Sequence, residues 1–163
     1  MQPRLDYKKT SPEVYKAMLA LEAAVNASGL EAGLLDLVRL RASQLNGCAF
    51  CIDMHWKDLR AQGESEQRLY ALDAWRETPF YSLREQAALA WTEAVTLITD
   101  GHIRDEVYEE ARNQFTEAEL VKLSLALVAI NGWNRLNVSF RTVPGGYQPA
   151  HPRKSAHTGW NQP

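Results

Sequence analysis

Two capping boxes, each followed by an apolar segment, constrain the fold of this chain more than any other feature. Ser82 with Glu85, and Thr116 with Glu119, each pair a helix-capping hydroxyl with an acid three residues later. The segment after the second box, residues 120–130, is apolar on nearly every side when it is drawn as a helix. Such a helix must be covered all round, by its own core or by a partner subunit.

Further helix start and stop signals divide the rest of the chain. Residues 1–10 are polar and predict an extended start, and no later segment combines strand alternation with a hairpin turn. Helices are predicted at about residues 12–27, 31–45, 48–61, 65–78, 82–99, 104–114 and 116–140. The sequence therefore predicts an all-α domain of about seven helices over residues 1–142, followed by a Pro/Gly-rich tail over 143–163 that is flexible or wrapped over a neighbour.

Charge and composition narrow the class of partner. The net charge of −2 and the lack of a basic stripe along any predicted helix argue against nucleic-acid binding. No run approaches the roughly 18 apolar residues of a membrane span, and the polar N-terminus is unlike a secretory signal. We therefore expect a cytoplasmic protein without a membrane partner.

Two cysteines and one histidine carry the chemistry that the sequence predicts. Cys48 and Cys51 are the only cysteines, and His55 follows the second by four residues. On a helix the three side chains fall within roughly 60° of one face. A thiol pair beside a proton carrier is suited to reversible dithiol–disulfide chemistry. In a reducing compartment such a pair is more often catalytic or metal-binding than structural.

The two sulfurs differ in what lies near them. Gly47 places Cys48 at the helix start, where the helix dipole favours a thiolate and where we expect greater exposure. Cys51 has His55 at the i+4 spacing, within reach of its sulfur. Lowering a thiol pKa by about two units gains only about threefold in net reactivity, whereas proton delivery to a leaving group supplies on the order of a hundredfold. This favours Cys51 as the attacking sulfur, although in thioredoxin-like pairs the first cysteine attacks.

The same residues have three alternative interpretations. A c-type haem site needs histidine directly after the second cysteine, where Ile52 stands. A structural zinc site could use both cysteines and His55, but it needs a fourth ligand that no second motif offers. Two inert core thiols with a core histidine are a further alternative. The remaining histidines are lone residues interpreted as surface positions: His102, His151 and His157.

The run from Asp36 to His55 resembles the core motif of the AhpD-like alkylhydroperoxidases, in the carboxymuconolactone decarboxylase superfamily. That motif is an acid, eleven residues, then CxxC and a histidine four residues on, and the resemblance covers about residues 30–140. It implies an all-helical fold, homo-oligomers built as trimers or hexamers, and hydroperoxide reduction without a cofactor. It also implies that Cys51 is the peroxidatic thiol, Cys48 its resolving partner, and His55 a proton relay with Asp36.

This chain departs from the family pattern at two positions. Asp36 stands where the family usually has Glu, and Phe50 stands where members often have Tyr or His. The expected function is thiol-dependent reduction of a hydroperoxide, with an external dithiol reductant of lipoyl or thioredoxin type. The alternative is a non-enzymatic oligomeric module whose CxxC senses redox state or holds a metal.

Overall fold

The computed structural model describes residues 2–149, and every regular element in that range is helical. The α-helices are α1 (Tyr7–Thr10), α2 (Pro12–Asn26), α3 (Ala32–Leu45), α4 (Ala49–Ala61), α5 (Glu66–Ala71), α6 (Leu83–Thr96), α7 (Asp105–Gln114) and α8 (Glu117–Phe140), with a 3-10 helix (Leu72–Glu77) after α5. The all-α prediction is confirmed. Within the same range, no helix is both long enough and apolar enough to cross a bilayer.

Both predicted capping boxes are present. The Ser82 hydroxyl accepts from the backbone of Glu85, and the Thr116 hydroxyl accepts from the backbone of Glu119. In each box the glutamate carboxylate accepts from the backbone N–H of the cap in return. These local contacts fix where α6 and α8 begin.

The extended start predicted for residues 1–10 is wrong, because α1 forms there. Asp6 caps this helix by accepting from two backbone N–H groups of its first turn. The Tyr7 ring lies 5.7 Å from the Phe140 ring, and its hydroxyl donates to Asn137 at 3.3 Å. A four-residue helix is not stable alone, so this one depends on contacts with α8 at the other end of the chain.

Helix α3 lies at the centre of the molecule and holds the cysteine helix in place. Its side chains enter two apolar clusters, Leu35 and Val38 in one with α2, α6 and α8, and Leu37 and Leu40 in the other with α4 and the 3-10 helix. Each of these side chains is buried, and full burial of one contributes about 1.5–3 kcal/mol. Helix α4 therefore packs on a fixed support, with α8 also against it.

Helix α8 is covered by its own domain on one side only. Leu123, Leu127 and Ile130 are buried in the core, whereas three apolar residues at helical spacing are exposed, which we call the α8 stripe: Val121, Leu125 and Val128. The stripe is the part of the all-round apolar helix that the subunit's own core leaves uncovered.

Residues 143–149, which we call the C-terminal strap, fold back onto α4. The bonds that hold it run from Gly145 N to Asp53, from Lys57 to the carbonyls of Gly145 and Tyr147, and from the Tyr147 hydroxyl to Asp58. This part of the predicted tail is attached to its own subunit. The rest of the tail, with His151 and His157, lies outside the described residues.

Candidate dithiol site

A tight turn between α3 and α4 sets the position of the cysteine pair. Gly47 has a φ of +64°, in the left-handed region that favours glycine, and it lets the chain reverse after α3. Cys48 is then the N-cap of α4, Cys51 lies in the first turn, and His55 lies one turn further on. The helix predicted from residue 48 to 61 is confirmed.

The two cysteines are equally buried, but they face different surroundings. Each has 1% of its surface exposed, so the expected greater exposure of Cys48 is wrong. The reason is that the backbone N–H of Cys48 donates to Ser43 O and its sulfur lies against Asn134 of α8, beneath the helix end. Cys51 instead lines a cavity.

That cavity has a volume of about 460 Å³ and contains His55 in its wall beside Cys51. Part of its lining is aromatic, and this part comes from α1, α2, α4, α8 and the C-terminal strap: Tyr7, Tyr15, Phe50, Trp133 and Tyr147. Asp36 and Arg39 of α3 form a charged part of the lining. Apolar walls with a few placed polar groups are typical of small-molecule sites.

His55 is buried in its neutral form at pH 7. Burial lowers its pKa to about 4; the negative charge of Asp36 opposes this shift and the positive charge of Arg39 adds to it. Neither ring nitrogen has a hydrogen-bond partner within the described residues, Cys51 included. A buried nitrogen without a partner is costly, so a polar group entering the cavity would gain a hydrogen bond there.

Asp36 lies near His55 but does not hydrogen-bond to it. Its two carboxylate oxygens accept from Arg39 Nη1 at 2.9 Å and from Gln62 Nε2 at 2.6 Å. Arg39 in turn donates to Asn26 at 2.8 Å. The acid therefore acts on His55 through its charge, and its bond to Gln62 joins α3 to the end of α4, while Arg39 makes the link to α2.

The pair of thiols loses one proton readily but does not readily lose the second. The Cys51 thiol hydrogen-bonds to Cys48, which together with backbone N–H groups at the helix start lowers the pKa of Cys48 to about 7 against the effect of burial. The same bond and burial raise the pKa of Cys51. At neutral pH the pair can thus hold one negative charge, stabilised between two sulfurs.

Sequence reasoning missed a group of asparagines beneath the pair. Asn137 Nδ2 donates to Cys51 Sγ at 3.5 Å, and Asn134 donates to Ser43 at 3.0 Å while accepting from Asn46 at 2.9 Å. The signal in the sequence is Asn131, Asn134 and Asn137 at i, i+3 and i+6, which puts amides on one face of an otherwise apolar helix. Asn137 thereby supplies a hydrogen-bond donor to Cys51 from α8.

The other predicted residues lie elsewhere. His102 is in the exposed turn after α6, as the surface interpretation predicted. Between residues 2 and 149, no three His, Cys, Asp or Glu side chains are grouped so that they could hold a metal ion. The described site is therefore a dithiol site with one neutral imidazole.

Fold and site define an all-α protein with a buried CxxC pair at the wall of a mixed aromatic and polar cavity. The model of the carboxymuconolactone decarboxylase family matches residues 12–94. The chain belongs to this family, and its motif places it with the AhpD-like members.

Individual relatives agree with that assignment. The chain is 42% identical over 139 residues to the uncharacterized protein YdfG of Bacillus subtilis (strain 168). This match covers 85% of the chain and 95% of YdfG. It is 45% identical, with a TM-score of 0.84, to the structure of ATU0492 from Agrobacterium tumefaciens, a protein of unknown function provisionally assigned as an AhpD antioxidant defence protein. That match covers 92% of this chain and all of the other.

A more distant structure shares the fold alone. The AhpD-core, peroxidase-related protein of Ralstonia eutropha JMP134 is 18% identical, with a TM-score of 0.75, over 85% of this chain and 74% of its own. The helical arrangement is thus kept where most side chains differ.

Proposed function

We propose that this protein reduces organic hydroperoxides with its dithiol, as a thiol peroxidase of the AhpD-like type. The observation that carries the proposal is that Cys51 and His55 line one cavity of about 460 Å³, with Cys48 behind Cys51. A nucleophile, a proton carrier and a resolving thiol are thereby arranged in the order in which the reaction needs them.

In the first step Cys51 attacks the terminal oxygen of the hydroperoxide and the O–O bond breaks. As Cys51 attacks, its thiol proton passes along its hydrogen bond to Cys48. Neutral His55 donates its ring N–H proton to the departing alkoxide, which leaves as the alcohol, and is reprotonated by the Cys48 thiol through solvent. Cys51 becomes a sulfenic acid, oxidised by two electrons. A proton relay of this kind contributes on the order of a hundredfold or more to the rate.

In the second step Cys48 resolves the sulfenic acid. The Cys48 thiolate, favoured by its lowered pKa of about 7, attacks the sulfur of Cys51, so a disulfide forms and hydroxide leaves and is protonated by solvent. An external dithiol then returns two electrons and two protons to restore the pair. The thioredoxin-like alternative, in which Cys48 attacks first, is less favoured because Cys51 is the sulfur in the cavity wall.

The size of the cavity favours an organic substrate over hydrogen peroxide. A water molecule takes up about 30 Å³, so a cavity of about 460 Å³ is far larger than a two-oxygen molecule requires. Its aromatic lining matches an apolar substituent, while His55 offers the hydrogen bond for the peroxide group.

We also propose that the protein works as a homo-oligomer, a trimer or hexamer, with the α8 stripe covered by a second copy. Exposed Val121, Leu125 and Val128 form a continuous apolar surface that contact with another subunit would remove from water.

The decisive measurement is turnover. Purified protein should consume cumene hydroperoxide for many equivalents per subunit when dithiothreitol is supplied, and Cys51→Ser should abolish consumption. Consumption that stops after one equivalent per subunit, with reductant still present, would instead identify a redox-sensing module.

A further inference from the structure

The amide of Asn137 is buried and every one of its polar positions has an assigned partner. Nδ2 donates to Cys51 Sγ at 3.5 Å and to the backbone carbonyl of Trp133 at 2.9 Å, while Oδ1 accepts from the Tyr7 hydroxyl at 3.3 Å. Asn137 is 4% exposed. Both amide hydrogens and the amide oxygen therefore have a hydrogen-bond partner: Cys51, Trp133 and Tyr7.

These partners determine the positions of the nitrogen and the oxygen of the Asn137 amide. A backbone carbonyl can only accept, so the nitrogen must face Trp133, and the oxygen must face Tyr7. Tyr7 must then donate its hydroxyl hydrogen. Burial, and next the charge at Cys51, raise the pKa of Tyr7 to about 12, so this donor keeps its proton at neutral pH.

Asn134 and Asn137, the two asparagines near the sulfurs, differ in which sulfur they affect. Asn134 lowers the pKa of both Cys48 and Cys51, so it favours a negative charge on either sulfur. The bond from Asn137 goes to Cys51. Cys48 and His55 on α4 and Tyr7 on α1 are titratable neighbours of Cys51 that carry no positive charge at neutral pH. The cations that line the same cavity are Lys8 and Arg39.

We propose that Asn137 stabilises negative charge on Cys51, so that it offsets part of the preference of the dithiol pair for charge on Cys48, and that Tyr7 is the positioning residue that holds the Asn137 amide for this task. An N–H donor strengthens its bond as the sulfur becomes anionic. Charge on Cys51 is what attack in the cavity requires, whereas the helix start favours charge on Cys48. The inference rests on the proposed thiol chemistry but not on the identity of its substrate.

The test measures the thiolate of Cys51 without any hydroperoxide. In a Cys48→Ser background, ultraviolet absorbance against pH reports the pKa of Cys51 alone. Asn137→Leu in that background should raise this pKa by about one to two units, the usual worth of a hydrogen bond to a charged group. Tyr7→Phe should raise it less, in the same direction, because the amide keeps its bond to the Trp133 carbonyl but loses the partner that holds its oxygen.

Asn131→Leu in the same background is the matched control. Asn131 lies on the same face of α8, donates to Thr96 and to the Leu127 carbonyl and accepts from Asn46 at 3.0 Å; within the described residues its amide has no hydrogen bond to either sulfur. It should leave the Cys51 pKa unchanged even if it lowers the melting temperature.

An unshifted pKa in Asn137→Leu would overturn the proposal, since a purely structural role changes melting and not the thiolate. Should that variant fail to fold, Tyr7→Phe decides, because it keeps the ring that packs on Phe140. If the pKa of Cys51 shifts as expected but the protein does not turn over hydroperoxide, this inference stands and the proposed activity is wrong.

Discussion

Gln62 Nε2 donates to Asp36 Oδ2 at 2.6 Å, and this bond ties the end of the cysteine helix to the acid of α3. Because Arg39 occupies the other oxygen, the carboxylate affects His55 by charge across a short distance and not by a hydrogen bond. The acid of the family motif thus has two tasks here, one electrostatic and one structural.

Asp36→Asn should affect both tasks. Without its charge, the pKa of His55 falls further, and we expect turnover to fall by up to about tenfold, equivalent to one pKa unit. The free energy of unfolding should fall by about 1–2 kcal/mol, because buried Arg39 loses one carboxylate but keeps Glu22 and Asn26. Peroxide consumption and urea unfolding measure the two effects.

Asp73→Asn is the matched control for this change. Asp73 pairs with Arg41, another arginine of α3, but its side chain is exposed and lies outside the cavity. It should change neither turnover nor stability appreciably. An unchanged rate in Asp36→Asn would assign the acid to the structural task alone.

The stability of the protein should depend on pH through His55. Its folded-state pKa of about 4 lies below the ordinary 6.5, so between these values the unfolded chain binds a proton that the folded chain does not. The contribution of His55 to the free energy of unfolding is therefore fully present above about pH 6.5. It falls by about 1.4 kcal/mol per pH unit as the pH decreases towards 4. Urea unfolding at several pH values measures the slope.

His55→Leu should remove that part of the slope, while His102→Asn, in an exposed turn, should keep it. The same slope in His55→Leu as in the wild type would mean that other groups cause it.

The two cysteines should differ in their reaction with one equivalent of hydroperoxide. Cys48→Ser should accumulate sulfenic acid on Cys51, detectable by a trapping reagent and mass spectrometry, because Cys51 lines the cavity and its resolving partner is gone. Cys51→Ser should remain largely unmodified. Trapped sulfenic acid on Cys48 in Cys51→Ser, with none in Cys48→Ser, would reverse the assignment.

A charge on the α8 stripe should dissociate the oligomer. Val128→Glu places a carboxylate within the proposed subunit contact, so light scattering should return a mass near the subunit's 18.4 kDa. Leu83→Glu, at an equally exposed apolar residue off the stripe, should leave the wild-type mass unchanged. A wild-type mass already near that of one subunit at micromolar concentration argues against the assembly.

Loosening the C-terminal strap should weaken substrate binding more than chemistry. Tyr147→Phe removes the hydrogen bond to Asp58 at 2.7 Å and so frees a wall of the cavity. We expect KM to rise severalfold with kcat little changed in steady-state assays. Tyr70→Phe, which removes an exposed bond to Glu66 outside the cavity, should behave as wild type, and equal effects in both variants would contradict the assignment.

Features fixed by neighbouring residues were predictable from the sequence. The capping boxes at Ser82 and Thr116 depend on residues three apart, and the helix that carries Cys48, Cys51 and His55 follows from its own spacing. Helix α1 was missed because Tyr7 is held by Asn137, 130 residues away.

The surroundings of the site were harder to predict for the same reason. The exposure of Cys48 was predicted wrongly because its cover comes from α8, and the hydrogen bonds of Asp36 come from Arg39 and Gln62, which only the packing of α3 on α4 brings together. Local spacing identifies reactive groups, whereas their hydrogen-bond partners are set by tertiary contacts.

The burial of both sulfurs has a consequence for the order of events in the proposed catalytic cycle. Each cysteine is 1% exposed, and the cavity is the route by which Cys51 meets other molecules. Oxidant and reductant must then use the same space in turn, so the alcohol has to leave before the dithiol enters. Kinetics of the ping-pong type follow, in which a high concentration of either reactant slows the other by occupying the entrance.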